Sequence, residues 1–151
     1  MKKPLLIITL ILFALSTQAK VSTSKYVVTE TPFLSEAAIS TLNSKLNNFE
    51  KKENKKILIF VIKSFNGKND IEYSKELWET KKLDGNTIVF IIAKNDRKTR
   101  ISVGTNLETK LTNAESKFIL DKIVQPNFRK KHFDKGTELA VDQIIKEIEK
   151  D

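Results

Sequence analysis

The chain of 151 residues contains 27 basic and 19 acidic side chains, and its formal net charge at pH 7 is +8. This length suits one domain that buries its own core without covalent cross-links. Because the sequence has no cysteine, disulfides, thiolate metal ligands and a lipid anchor on cysteine are excluded, although the compartment is not defined by this alone.

The first 19 residues have the pattern of a signal peptide. Two lysines precede an apolar stretch at residues 5–15, and small residues allow cleavage after Ala19. The alternative is a permanent transmembrane anchor, but the segment from Leu5 to Ala19 is shorter than the roughly 20 residues that a spanning helix needs. We therefore expect an exported protein, periplasmic or secreted, whose mature chain begins with a polar leader at residues 20–25 and keeps no transmembrane anchor.

The basic charge does not indicate a nucleic-acid partner. Paired lysines such as Lys51-Lys52 and Lys130-Lys131 are not interleaved with stacking aromatic residues. A solvated basic surface explains them, and salt-sensitive contact with anionic lipid headgroups is left open.

Local patterns in the first half of the mature chain predict alternating strands and helices. Residues 26–28 predict a brief strand, Ser35 is a helix cap, and the first helix should extend to about Glu53. Residues 57–62 predict a buried strand. A second helix, capped by Asn69 or Asp70, should end before the turn at residues 84–85.

The second half continues with a strand hairpin and two helices. The apolar run at residues 87–93 predicts a strand that is covered on both faces, and the alternating residues 100–103 predict an antiparallel edge strand after a charged turn. Thr112 and Glu115 form a capping box for a third helix, which we expect to stop near Pro126. A link at residues 128–133 leads to the last helix.

These elements predict a single α/β domain. It should be a three-layer α/β/α sandwich, with one mixed β-sheet, an antiparallel hairpin at the edge of the sheet and helices on both faces. The strand, helix and strand within residues 57–93 should form a right-handed parallel crossover.

The order and spacing of a set of residues carry a resemblance to a known family. They are Val27, Leu34-Ser35, Asn86, Ala93, Asp96-Arg97-Lys98, Arg100-Ile101, Val103-Gly104, Leu107-Glu108, Leu111-Thr112, Ala114, Pro126, Phe128-Arg129 and Gly136. These residues identify the segment 26–151 as a domain that resembles the TPM domain family. The resemblance implies an exported or lumen-facing domain. Members of that family include a thylakoid-lumen protein reported as an acid phosphatase, bacterial proteins that bind divalent cations, and a membrane-anchored receptor accessory protein, so the resemblance implies either an enzyme or an accessory module.

Topology predicts where a cleft would lie. Because strand 87–93 begins at the sheet edge where strand 99–103 ends, the segments beside them can converge near the helix start at Thr112. The candidate cleft-lining residues are Gly85, Asn86, Gly104, Thr105 and Asn106.

The resemblance also implies a metal site at this end of the sheet. The family carries carboxylates there, which suit a hard cation such as Ca²⁺ or Mg²⁺. In this sequence several of those acids are replaced, and the candidate ligands are Asp84, Glu108 and Asn113. Ordinary turn and cap chemistry explains the same residue types, so no cofactor is required by the sequence.

The remaining chemistry is limited to anion binding. Arg97 and Arg129 are candidate anion-binding residues, together with Arg100. His132 is the one histidine and is expected to be solvated, and no nucleophile motif or phosphate-binding glycine loop is present, so catalytic residues are unknown.

We therefore expect a binding or accessory module of the cell envelope, in which the metal site of the family is largely lost. Its partner should be an envelope or membrane protein. The alternative is a divalent-cation-dependent phosphatase that uses a residual site around Asp84 and Glu108.

Overall fold

The computed structural model describes residues 22–150. The predicted signal peptide and the first two residues of the polar leader lie outside the described residues. Within the leader, residues 22–23 form a short strand and thus belong to the fold. None of the helices within residues 22–150 has the length and apolar character that a membrane-crossing helix needs.

Strands and helices alternate largely as predicted. The elements are β1 (Ser22–Thr23), β2 (Val27–Thr29), α1 (Glu36–Glu53), β3 (Lys56–Ile62), α2 (Asp70–Lys81), β4 (Thr87–Ala93), β5 (Lys98–Val103), α3 (Asn113–Phe118), a π-helical segment (Ile119–Val124), α4 (Gln125–Arg129) and α5 (Phe133–Glu149). Ser35, Asn69 and Thr112 accept hydrogen bonds from the first turns of α1, α2 and α3, so the predicted caps are confirmed.

The strands form one mixed sheet in chain order, β1-β2-β3-β4-β5. β2, β3 and β4 are parallel, while β1 and β5 pair antiparallel with their neighbours. One face packs against α1, the π-helical segment and α5, and the other packs against α2. The predicted α/β fold, with helices on both faces and a hairpin at the edge, is confirmed.

The two crossovers between the parallel strands have opposite hands. They advance across the sheet in the same direction, but α1 and α2 lie on opposite faces. The amide of Ile59 donates to the carbonyl of Tyr26 and therefore faces β2, while the Ile59 side chain lies in the core cluster that contains α1. For L-residues this arrangement makes the crossover through α1 left-handed, against the usual rule, and the crossover through α2 right-handed, as predicted.

The third helix is longer than predicted. The expectation that it stops near Pro126 is wrong, because the chain remains helical through α4 to Arg129. The preceding turn is π-helical, and the amide of Gln125 donates to the carbonyl of Leu120, five residues earlier. Pro126 then lies in the first turn of α4, where a missing amide hydrogen is tolerated.

The β4–β5 hairpin is held against the loop that follows β3. The amide of Lys94 donates to the carbonyl of Ile62, and the carboxylate of Asp96 accepts from the amide of Phe65 at 2.7 Å. Arg97 comes next with φ of 52°. The hairpin, and the arginine at its tip, are thereby fixed relative to the sheet.

A small polar network ties the start of β2 to α1. The hydroxyl of the buried Tyr26 donates to Glu50 at 2.5 Å, and the ammonium of Lys25 lies 3.0 Å from the same carboxylate. The hydroxyl of Tyr26, followed by Lys25, lowers the pKa of Glu50. Because this pKa is lowered in the folded state, the network stabilises the fold above the ordinary glutamate pKa of about 4.3, and the stabilisation is lost as the pH falls through the lower, folded-state value.

Replacing Tyr26→Phe removes the main hydrogen bond to Glu50 and should lower the free energy of unfolding by about 1.5 kcal/mol at neutral pH. The difference from the unsubstituted protein should shrink as the pH falls through the lowered folded-state pKa of Glu50, because the carboxyl group then becomes protonated. Urea unfolding at neutral pH and at a pH below the folded-state Glu50 pKa, which a carboxyl NMR titration locates, measures this. Tyr73→Phe is the control and should leave the Glu50 pKa unchanged; an equal stability loss at both pH values would contradict the prediction.

Candidate functional site

The residues predicted to line a cleft do meet at the amino-terminal end of β4. The carbonyl of Gly85 accepts from the amide of Asn106 at 3.0 Å, and the Asn106 side chain donates to Oδ1 of Asn86 at 3.1 Å. The amide of Gly104 donates to the carbonyl of Thr87 at 2.8 Å. The two segments are thus in direct contact with each other.

The contact between Gly104 and Gly85 is especially close. A Cβ on Gly104 would lie 2.4 Å from the carbonyl oxygen of Gly85, which is rigid backbone. A Cβ on Gly85 would instead meet the side chains of Thr105, at 2.9 Å, and Asn106. Glycine at position 104 is therefore required by backbone packing, and the junction is filled by its own residues.

The candidate metal ligands are placed differently from one another. Asp84 is exposed, and its Oδ1 accepts from the amide of Asn86 at 2.9 Å and from the hydroxyl of Thr87 at 3.0 Å. Glu108 is exposed, and Asn113 lies at the start of α3. Within residues 22–150 no group of three or more histidine, aspartate or glutamate side chains is placed to hold a metal ion. Asp84 thus acts as a turn residue, and the metal site stays a prediction.

The start of α3 already holds an anionic group of the chain. Oε2 of Glu115 accepts from the amide of Thr112 at 2.7 Å and from its hydroxyl at 2.9 Å. These two hydrogen bonds, the backbone one first, lower the pKa of Glu115. The capping box predicted from the sequence is therefore confirmed, and it places a carboxylate of the chain itself at this end of the helix.

A broad groove, with a volume of about 1370 Å³, lies elsewhere, along β5. Its walls come from the β4–β5 hairpin, β5, α3, the π-helical segment, α4 and the link to α5. Asn113 is the candidate metal ligand that lines it. Because π-helical turns are frequent at functional sites, their presence in this wall makes the groove the better candidate site.

The groove is strongly basic. Seven basic and two acidic side chains line it, an excess of five positive charges. The basic residues are Lys94, Arg97, Lys98, Arg100, Lys117, Arg129 and Lys131. Both acids are already paired, since Asp70 contacts Arg100 at 2.9 Å and Asp121 contacts Lys117. Within residues 22–150, the other five basic side chains form no ion pair with a carboxylate.

The structure brings the two candidate anion-binding residues, Arg97 and Arg129, into this one groove. Sequence reasoning missed Lys94, Lys98 and Lys131, which line the same surface. Their signal was present in the sequence as basic residues at 94–98 and 129–131. The two segments are far apart in the chain, so only packing shows that their charges add.

Three phenylalanines hold the second basic segment in place. Phe33, before α1, lies 5.3 Å from Phe128 and 4.2 Å from Phe133, measured between ring centroids. Phe128 and Phe133 enclose the link between α4 and α5, and their own centroids are 5.6 Å apart. This cluster fixes Arg129 and Lys131 at the groove and gives its floor an apolar surface.

Two buried polar atoms of groove residues have no hydrogen-bond partner within residues 22–150. They are Nε of Arg100 and Oγ of Ser116. Buried donors without partners are uncommon in folded proteins. The unpaired cations indicate a surface suited to an anionic, hydrogen-bonding partner, since guanidinium groups bind carboxylate and phosphate through paired hydrogen bonds.

One comparison with known proteins identifies a family. The family model described as TPM domain matches residues 27–147, which is most of the chain. No curated protein matches the sequence significantly.

Solved structures show the same fold at low sequence identity. The N-terminal domain of a protein from P. gingivalis has a TM-score of 0.76 and 17% identity, over 81% of this chain and 80% of that one. The N-terminal domain of the cg2496 protein from Corynebacterium glutamicum has a TM-score of 0.64 and 16% identity, over 86% of each chain. The BA42 protein from Bizionia argentinensis has a TM-score of 0.66 and 13% identity, over 78% of this chain and 82% of that one.

The close packing at the junction gives a prediction. Gly104→Ala should lower the free energy of unfolding by about 3 kcal/mol, because the added methyl group meets a backbone carbonyl that cannot move freely. Gly85→Ala is the matched control and should cost clearly less, since the side chains that it meets can rotate away. Urea unfolding of both variants measures the difference; equal losses would mean that the junction is not closely packed.

Proposed function

This chain belongs to the TPM domain family, and from that membership and the basic groove we propose that it is an exported binding or accessory module of the cell envelope. The observation that carries the proposal is the excess of five positive charges in one groove. The partner is an envelope or membrane protein that presents negative charge to this groove.

Support for export comes from the amino-terminal sequence. Residues 1–19 combine a basic start, an apolar stretch and small residues before the cleavage position at Ala19. An accessory module of the envelope must leave the cytoplasm, so this segment and the proposed role are consistent with each other.

Support for binding, as opposed to hydrolysis, comes from the kind of side chain in the groove. Its two carboxylates are engaged in ion pairs, so neither is free to act as a base or to hold a cation. The phosphatase alternative requires Asp84 to bind a cation, although its Oδ1 already accepts hydrogen bonds from Asn86 and Thr87. Among residues 22–150, no group of three or more acidic or histidine side chains is placed to complete such a site.

The backbone at two groove residues allows the binding role to be tested without loss of stability. Arg97 and Lys131 have φ values of 52° and 60°, a conformation in which glycine is favoured over other residues. A left-handed conformation costs an L-residue about 1–2 kcal/mol, whereas glycine loses about 0.5–1 kcal/mol through its backbone entropy. Glycine should therefore be at least as stable at both positions.

Cells that express the full chain should contain an exported protein that begins at Lys20, because the apolar segment directs export and cleavage follows Ala19. Cell fractionation and amino-terminal sequencing measure this. Leu10→Arg should abolish export, and Leu10→Ile is the control that should preserve it. An uncleaved chain held in the membrane would instead support the permanent anchor.

Blocked hexaglutamate should bind the groove of the purified protein and shift the backbone NMR signals of Lys98, Arg129 and Lys131. Affinity should fall at least about tenfold between low salt and about 0.5 M NaCl, because the attraction between exposed charges is screened. The double variant Arg97→Gly with Lys131→Gly should weaken binding about fivefold without loss of stability.

Lys82→Gly is the matched control for that double variant. Lys82 also has a positive φ, of 51°, but lies at the end of α2, outside the groove. This variant should keep full affinity. Absence of groove shifts on addition of hexaglutamate would contradict the proposal. Hydrolysis of p-nitrophenyl phosphate that depends on Mg²⁺ and is abolished by Asp84→Asn would favour the phosphatase instead.

A further inference from the structure

The outer edge of β5 is open. β5 is the last strand of the sheet, and the amide of Gly104 faces β4, where it donates to the carbonyl of Thr87. Because backbone direction alternates along a strand, the amides and carbonyls of Thr99, Ile101 and Val103 face away from β4. Within residues 22–150 none of these three amides donates a hydrogen bond to a loop, turn or cap on the outer side of β5.

This open edge lies inside the basic groove. Thr99 and Ile101 are among the groove-lining residues, with the π-helical segment on one side of the sheet. On the other side, Arg100 reaches the carboxylate of Asp70 at the start of α2. The groove therefore surrounds the edge of the strand from both faces, which gives an added strand two walls to contact.

From this arrangement we infer that the groove binds an extended acidic segment of a partner protein, which adds to β5 as a further strand of the sheet. The inference rests on the proposed function and specifies how the partner binds. Strand addition satisfies the free backbone groups of β5, and the acidic side chains of the segment pair with Arg97, Lys98 and Lys131. A segment of about six residues, roughly 20 Å long, covers the edge.

Charge disfavours the most common competitor, a second copy of this chain. Edge-to-edge pairing of two β5 strands would bring together two grooves that each carry an excess of five positive charges. Like charges across a strand pair are destabilising. The same charges attract an acidic strand, so the groove distinguishes a partner from a second copy.

A small anion uses only part of this surface. Phosphate or a lipid headgroup can pair with the arginines, but neither presents the alternating donors and acceptors that match the open edge of β5. Recognition through backbone groups therefore separates a peptide segment from other anions.

The test uses a blocked heptapeptide of alternating glutamate and valine, added to the purified protein. Hydrogen exchange at the amides of Thr99, Ile101 and Val103 should slow at least about tenfold on binding, because these amides become hydrogen-bonded. Two N-methylated forms of the peptide provide the control, one methylated at the glutamate amides and the other at the valine amides. Since alternate amides face β5, one form should lose binding and the other should retain it.

Each other outcome overturns the inference in a distinguishable way. If the heptapeptide and both methylated forms bind equally without slower exchange, charge alone drives binding: the strand addition is wrong and the proposed function stands. If neither the heptapeptide nor hexaglutamate binds, both proposals fail. If the β5 amides exchange slowly without peptide, and the slowing becomes stronger with protein concentration, the edge pairs with a second copy. If phosphatidylglycerol vesicles shift the groove signals and the peptide does not, the groove binds lipid.

Discussion

Burial of β4 on both faces is the constraint on which the rest of the structure depends. All seven residues of this strand are buried, and alternate side chains enter different cores. Ile88, Phe90 and Ile92 pack towards α1 and α5, while Val89 and Ile91 pack towards α2. A strand with two apolar faces requires a layer of helices on each side, and the remaining elements are arranged to supply those layers.

The same constraint leaves β5 at the edge and places the charges beside it. β4 pairs on one side with β3, so its hairpin partner closes the other side and exposes its own outer edge. Natural proteins protect such edges with charged side chains, and Lys98 and Arg100 fit that purpose. The hairpin, α4 and the link to α5 add further cations to this side. One set of residues thus accounts both for protection against self-association and for the acidic partner that we propose.

Most of the fold follows from local patterns in the sequence. Apolar runs located β3 and β4, alternation located β5 as an edge strand, and side-chain caps located the starts of α1, α2 and α3. The failure at Pro126 has a clear cause, since proline usually ends a helix but is tolerated in the first turn that follows a π-helical segment. That segment has no local sequence signature of the kind that a cap or a turn provides.

The sequence by itself determined the family, the order of the elements and the individual candidates Arg97 and Arg129. It could not show that these two arginines share a groove, because their segments meet only through the segment before α1. Phe33 contacts Phe128 and Phe133, and the ammonium of Lys94 donates to the carbonyl of Pro32. It also placed the cleft at a junction that direct contact between Gly104 and Gly85 fills. Local patterns report backbone preference and burial of one segment at a time, whereas a binding surface is the sum of charges from several segments, and only tertiary packing decides which charges add.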